Sequence, residues 1–200
     1  MIQSITKQVL KRIRGNSKWL VFTPKDFLDL GSRAAVDQAL SRLTRDGKIR
    51  RIERGLYDYP RVSTRLGQLS PNPDAVVQAL ARKTGSQILP SGARAANTLG
   101  LSTQVPARLV YLTDGPSRDV VIGRQRIQLR NTASKYFSGN SGADIAVQAL
   151  RHLGRNTVDD TAIRKVRSAL SDHDKRALRK TIGKVPDWMA PYIKQIAQPA

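Results

Sequence analysis

Val36, Leu40 and Leu43 recur at i, i+4 and i+7, with Ser32 just before the run and Asp46-Gly47 just after it. This pattern demands an amphipathic helix with a narrow buried stripe, opened by a serine cap and closed by a turn. The neighbouring segments supply what the stripe packs on. Upstream, Ile5, Val9, Leu10 and Ile13 fall at helical spacing and Gly15 ends the run. Thr23-Pro24 reads as an N-cap followed by proline at the first helical position. It opens a short helix that carries Phe27, Leu28 and Leu30 and stops at Gly31. Downstream, Lys48 to Ile52 and Leu56 to Tyr59 are two strand-like runs around Glu53-Arg54-Gly55, closed by Pro60. Helix, short helix, glycine turn, helix and hairpin is the order of a winged helix-turn-helix.

The segment Leu66-Gly-Gln-Leu-Ser-Pro-Asn-Pro73 is rich in Gly, Pro and Asn and follows a completed unit. A domain boundary is expected there, with a winged helix-turn-helix over residues 1–66 and a second domain over residues 67–200. The second domain reads as mixed α+β with a helical C-terminal tail, so the fold class of the chain is α+β. Its expected elements are a helix over Asp74–Lys83, a strand over Ser86–Leu89 and a helix over Ser91–Leu99. Strands over Leu109–Thr113, Val120–Ile122 and Arg126–Leu129, joined through Asp114-Gly115-Pro116 and Gly123, suggest a meander. Four helices follow, over about Asp144–Leu153, Asp159–Leu170, Asp172–Ile182 and Pro186–Ile196. Asp144, Asp159 and Asp172 each favour a helix start.

Charge narrows the partners. The 200 residues carry 35 Lys and Arg against 15 Asp and Glu, a net charge of +20, spread as +9 over residues 1–66 and +11 over residues 67–200. Such a surface attracts polyanions, nucleic acid first and acidic membranes or proteins second. Without cysteine, disulfides and thiolate metal sites are excluded. No run approaches the ~18 apolar residues of a membrane-spanning helix, and the first fifteen residues are broken by charge too often for a signal peptide. A soluble, cytoplasmic protein is expected.

A helix that keeps Val36, Leu40 and Leu43 on the core turns Arg33, Ala34, Asp37, Gln38 and Ser41 the other way, with Arg42 and Arg45 flanking. Arg33 suits bidentate pairing with guanine O6 and N7, and Gln38 does the same for adenine N6 and N7. Asp37 either accepts from a cytosine amino group or holds Arg33 in place, and Ala34 leaves room for close approach. The hairpin brings Lys48, Arg50, Arg51 and Arg54 onto one ribbon whose Arg54-Gly55 tip suits phosphates or the minor groove. Lys18 and Lys25 are placed to touch flanking backbone, while Ser32 and Thr23 offer hydroxyls to phosphates besides capping. A protein-binding winged helix and an RNA-binding one are the rival readings.

Catalytic parts are missing from the pattern. The two histidines, His152 and His173, have no metal-ligand spacing, and Glu53 is the sole glutamate. Asp159-Asp160 and Asp172/Asp174 read as helix starts. Gly139-Asn-Ser-Gly142 would accept a phosphate, but no P-loop Lys-Ser/Thr follows it. No enzyme, cofactor, metal site or small-molecule substrate is expected.

The stretch Thr23-Pro-Lys-Asp-Phe27, Gly31-Ser-Arg-Ala-Ala-Val-Asp-Gln-Ala-Leu-Ser-Arg-Leu43 and Gly47-Lys-Ile-Arg-Arg-Ile-Glu-Arg-Gly-Leu-Tyr57 resembles the winged helix of AbiEi-type antitoxins of type IV toxin–antitoxin systems. The block Ile88-Leu-Pro-Ser-Gly-Ala-Arg-Ala-Ala-Asn-Thr-Leu-Gly-Leu-Ser-Thr-Gln-Val-Pro106 is similar to the segment after that family's linker, and Leu109-Val-Tyr-Leu-Thr-Asp-Gly115 to its next strand. The resemblance spans about residues 5–135, and the block from Leu89 to Pro106 carries most of its specificity. It implies an antitoxin-like second domain and an autorepressor that binds inverted repeats in double-stranded promoter DNA. It also implies an antitoxin that counters a cognate nucleotidyltransferase-like toxin, by direct binding or by a functional route. By position it assigns the DNA role to Arg33, Gln38, Arg42, Arg50, Arg51 and Arg54. Arg94, Arg108, Arg118, Arg124, Arg126 and Arg130 of the second domain either extend the footprint or face an acidic partner. A plain winged-helix regulator without a toxin is the alternative.

Overall fold

The computed structural model describes residues 4–15, 20–104, 106, 108–123 and 125–198. The chain is α+β and divides into two compact units, residues 1–86 with 121–125, and residues 87–120 with 126–200.

In the first unit α1 (Ile5–Gly15) buries Val9 and Ile13. After β1 (Val21–Phe22), Pro24–Phe27 forms a 3-10 turn where the sequence suggests a short α-helix. The difference has a local cause. The Asp26 carboxylate accepts from the backbone N–H of Thr23 at 2.8 Å, and Leu30 N–H reaches the Phe27 carbonyl at 2.9 Å, which closes the segment tightly. α2 (Arg33–Arg45) starts at Ser32, whose Oγ accepts from Ala35 N–H at 3.3 Å. It buries Val36, Ala39, Leu40 and Leu43, so the expected stripe is the packed face. β2 (Arg50–Glu53) and β3 (Leu56–Asp58) form the expected hairpin, with Gly55 at φ 71° in its turn. β1 adds to it as a third strand, in the order β1-β3-β2. Val9, Ile13, Phe22, Phe27, Val36, Leu40, Leu43 and Ile49 share one core. Phe22 sits edge-on to Phe27 at 5.4 Å between ring centroids and stacks with Tyr57 at 6.2 Å. Each such buried side chain contributes about 1.5–3 kcal/mol.

The unit does not end at residue 66. β4 (Val62–Ser63) pairs with β5 (Gly67–Gln68), and α3 (Pro73–Thr84) follows, capped by Asn72. Arg82 at the end of α3 donates to the Val21 carbonyl at 3.1 Å and to Asp26 at 3.1 Å, so α3 is tied to β1. The expected linker therefore contains a small second hairpin, and the split between units falls after Ser86.

The remaining strands are β6 (Ile88–Pro90), β7 (Leu109–Thr113), β8 (Arg118–Ile122) and β9 (Gln125–Asn131), of which residues 121–125 at the β8–β9 turn count with the first unit. Their order is β6-β7-β9-β8, with β7 and β9 parallel, and not the meander that the turns suggest. β9 buries Ile127 and Leu129 and β8 buries Val120 and Ile122, while Val121 on the edge strand β8 turns outward and is 58% exposed. α4 (Gly92–Thr98) packs closely on α5 (Ser141–Leu153): a Cβ on Gly92 would lie 2.6 Å from the His152 Cβ, and Ala95, Ala96 and Ala149 are fully buried. α6 (Asp160–Ala169), α7 (Asp172–Arg179) and α8 (Ala190–Ile196) complete a helical core around Val147, Leu150, Val166, Leu178, Met189 and Ile193. The last two expected helices are shorter than the sequence suggests, since 3-10 turns at Ile182–Lys184 and Asp187–Met189 interrupt them. Among the described residues no helix is long and apolar enough to cross a membrane.

Candidate nucleic-acid interface

α2 fixes its own orientation. With Val36, Leu40 and Leu43 at 0–1% exposure on the core, Arg33, Ala34, Gln38, Ser41, Arg42 and Arg45 are exposed and Asp37 is half-buried. These seven positions repeat at three- and four-residue intervals, so they form one face. The side chains of Gln38, Ser41, Arg42 and Arg45 make no hydrogen bond or ion pair with any described residue. Of the two sequence alternatives for Asp37, the structure has it holding Arg33: Nε donates to Oδ2 at 2.9 Å. Both groups are about half exposed, at 57% and 47%. An i,i+4 pair of that kind is worth about 0.3–0.5 kcal/mol, weak enough for a stronger acceptor to claim the guanidinium.

The ribbon splits its cations between two jobs. Successive strand residues point to opposite faces, and Arg50 and Arg51 are neighbours on β2. Arg50 turns to Asp58 across the hairpin, with Nε to Oδ1 at 3.0 Å and Nη2 to Oδ2 at 2.6 Å, and also donates to the Leu69 carbonyl at 3.0 Å. Asp58 is 1% exposed. The hydrogen bond to Asp58 raises the Arg50 pKa against the opposing effect of burial. Arg50 is thus a brace between the ribbon base and the β5 side of the second hairpin. Arg51 is exposed, reaching only the Glu53 carbonyl at 3.4 Å, and the Lys48 and Arg54 side chains are exposed without a partner among the described residues.

Two further expectations change. Thr23 is fully buried and its hydroxyl donates to Asp26 at 3.2 Å, so it offers nothing to a phosphate. Lys25 donates to the Lys83 carbonyl at 2.7 Å, closing the C-terminal end of α3. Lys18 lies outside the described residues. Ser32 stays exposed at the start of α2.

Lys83 is the residue that the sequence reading misses. Its ammonium donates to the Arg54 carbonyl at 2.6 Å and sits 3.3 Å from Glu53, clamping the ribbon tip from α3. A lysine in the last turn of a helix is ordinary, so the sequence carries no signal for this clamp. Arg61 and Arg65 on the second hairpin are also exposed.

In the second unit the basic residues are mostly engaged. Arg94 lies over the Tyr111 ring at 5.3 Å, Arg126 faces Asp119 at 3.6 Å, and Arg130 meets Gln128 at 3.4 Å. Arg118 is half-buried and also engaged, Arg108 is exposed, and Arg124 lies outside the described residues. The Gly139–Gly142 loop is occupied from within: Asn140 caps α5, and the Asp174 carboxylate lies where a Cβ on Gly142 would come within 2.9 Å. A negative group there opposes a phosphate. Among the described residues no group of three or more His, Cys, Asp or Glu gathers to hold a metal.

Fold and surface together define a two-unit α+β protein whose first unit presents a basic helix face and an arginine-tipped ribbon. The chain belongs to DUF6088, a family of unknown function, whose profile matches residues 8–178. In structure it is similar to the crystal structure of RV2827C protein from Mycobacterium tuberculosis, with 14% sequence identity over 98% of this chain and 78% of that one and a TM-score of 0.43. No curated protein matches the chain in sequence.

Proposed function

We propose that the chain binds double-stranded DNA, with α2 in the major groove and the β2–β3 ribbon as a wing along the backbone, in the manner of a winged helix-turn-helix. The observation that carries this reading is the outer face of α2. It is polar and basic, and its side chains are short or hydrogen-bonding where a base edge would lie and largely unclaimed by the protein itself. Arg33, Gln38 and Ser41 read bases, Ala34 permits close approach, and Ser32, Arg42, Arg45, Lys48, Arg51 and Arg54 take phosphates or the minor groove. A basic chain of this kind acts where DNA is, in the cytoplasm of a bacterial cell.

On the resemblance carried by residues 88–106 and 109–115, we further propose that the protein is the antitoxin of a type IV toxin–antitoxin system. It would repress its own operon at promoter inverted repeats and counter a nucleotidyltransferase-like toxin.

Titration of duplex DNA from upstream of the protein's own gene tests the first proposal. Wild type is expected to prefer it over a scrambled duplex, and Arg33→Ala to lose about 1–3 kcal/mol of that preference. Equal affinity for both duplexes contradicts site-specific repression. Co-expression with the neighbouring gene tests the second: rescue of growth supports an antitoxin. A neighbour without toxicity leaves a plain winged-helix regulator.

A further inference from the structure

We propose that the second unit holds a nucleotide, with its phosphates on Lys135, Arg151 and Lys184 and its base against Trp188. Three separate segments make the site. The 3-10 turn Ser134–Tyr136, the last turn of α5 and the loop through Lys184 to Trp188 line an open surface cleft of about 830 Å³. Its lining contains those three cations and two aromatic rings, Tyr136 and Trp188. None of the cations makes an ion pair with a described residue.

The geometry of the cations is what calls for an anion. Arg151 lies over the Tyr136 ring at 4.8 Å and Lys135 approaches the same ring at 5.4 Å, so one aromatic side chain contacts both cations. Arg151 Nε is buried without a hydrogen-bond partner, while the half-buried side chain as a whole lines the cleft. The acidic group in the adjoining recess is Asp144, which is 3% exposed and already takes the Ser138 N–H on both oxygens, at 2.9 and 3.0 Å. The lining itself holds three cations and no carboxylate, and Asp187 of the same loop, between Pro186 and Trp188, stands outside it, so the lining is positive. A bare phosphate would use the cations alone. Trp188 adds a flat, partly exposed ring that Tyr192 braces edge-on at 6.2 Å, a surface on which a base can stack. Phosphate and base together define a nucleotide, from either a free molecule or the end of a strand. The inference is independent of the role given to α2.

Calorimetric titration of the full chain tests it, using ADP, inorganic pyrophosphate, adenosine and a 5′-phosphorylated single strand of about six nucleotides. Saturable binding of ADP is expected, with adenosine about tenfold weaker or worse for want of charge-assisted hydrogen bonds. Lys135→Gln and Lys184→Gln, both at exposed positions, should each weaken ADP about tenfold. Trp188→Leu should remove the advantage of ADP over pyrophosphate. Arg164→Gln and Lys194→Gln, exposed outside the lining, should leave binding unchanged. Tighter binding of the strand than of ADP, lost in the same variants, assigns the strand end; the reverse assigns the free nucleotide. The proposal is overturned if neither saturates, or if the control variants weaken binding as much as the cleft variants do.

Discussion

The outer face of α2 and the seam between the ribbon and α3 lie in the same basic unit, yet they use their charge in opposite ways. In the seam every cation has an internal acceptor: Arg50 on Asp58, Arg82 on Asp26, Lys83 on Glu53 and the Arg54 carbonyl, Lys25 on the Lys83 carbonyl. On α2 three arginines share one acid, Asp37, and only Arg33 uses it. The lesson is that composition does not locate a polyanion site. What matters is the charge left over once the protein has satisfied its own acids: the cations of the outer α2 face and the ribbon tip, like Lys7, Lys11 and Arg14 of α1 and Arg61 and Arg65 of the second hairpin, are exposed and mostly unpaired among the described residues.

The largest expected effect separates two arginines of one ribbon. Arg50→Ala leaves the nearly buried Asp58 charge without its partner. It should cost about 3 kcal/mol of stability, the low end for a broken buried pair because the Arg50 side chain keeps 35% of its surface exposed. Arg54→Ala should leave stability within about 0.5 kcal/mol, as surface substitutions do. Urea unfolding of the two variants measures both, and equal losses would erase the distinction between brace and tip. Next in size, Asp37→Ala frees Arg33 and should shift base preference at one operator position by about 1 kcal/mol. Competition between duplexes that differ at that position reads the shift; an unchanged preference means that Arg33 reads no base.

Smaller effects come from the second unit. Ser171 and Asp174 form a capping box on α7, with Ser171 Oγ donating to Asp174 at 2.6 Å. Ser171→Ala should cost about 1 kcal/mol in thermal or urea unfolding. The same hydrogen bond holds the Asp174 carboxyl below its ordinary value, against desolvation. Its contribution is therefore present above about pH 4 and lost as the pH falls through the depressed folded-state value. In the Ser171→Ala variant the acid limb of the stability curve should be flatter; an identical limb in both proteins would show that Asp174 is not linked to folding.

What could be read from the sequence follows from where the information lies. α2 was legible because Ser32, the Val36/Leu40/Leu43 stripe and Gly47 are all local signals. The hairpin was legible for the same reason, and adjacency of Arg50 and Arg51 already implies that they face opposite ways. β1, β4 and β5 are two-residue strands, too short for alternation to show. The order β6-β7-β9-β8 rests on a parallel pairing of distant segments that turn residues do not encode. Asp58 as the partner of Arg50 depends on a register shifted between Arg51 and Glu53. The cationic cleft was invisible because its residues come from three stretches that meet only in the fold.

The most direct measurement of the central claim is the salt dependence of duplex binding. Wild type is compared with an Arg42→Ala/Arg45→Ala/Arg54→Ala triple variant and with an Arg164→Ala/Arg179→Ala/Lys194→Ala triple of equal charge. If α2 and the ribbon tip lie on DNA, the first triple should make the log–log slope shallower by about 2.7, at about 0.9 for each phosphate no longer neutralised, and the second should leave it unchanged. Equal slopes in the two triples would show that duplex DNA meets the whole charged surface and not this face.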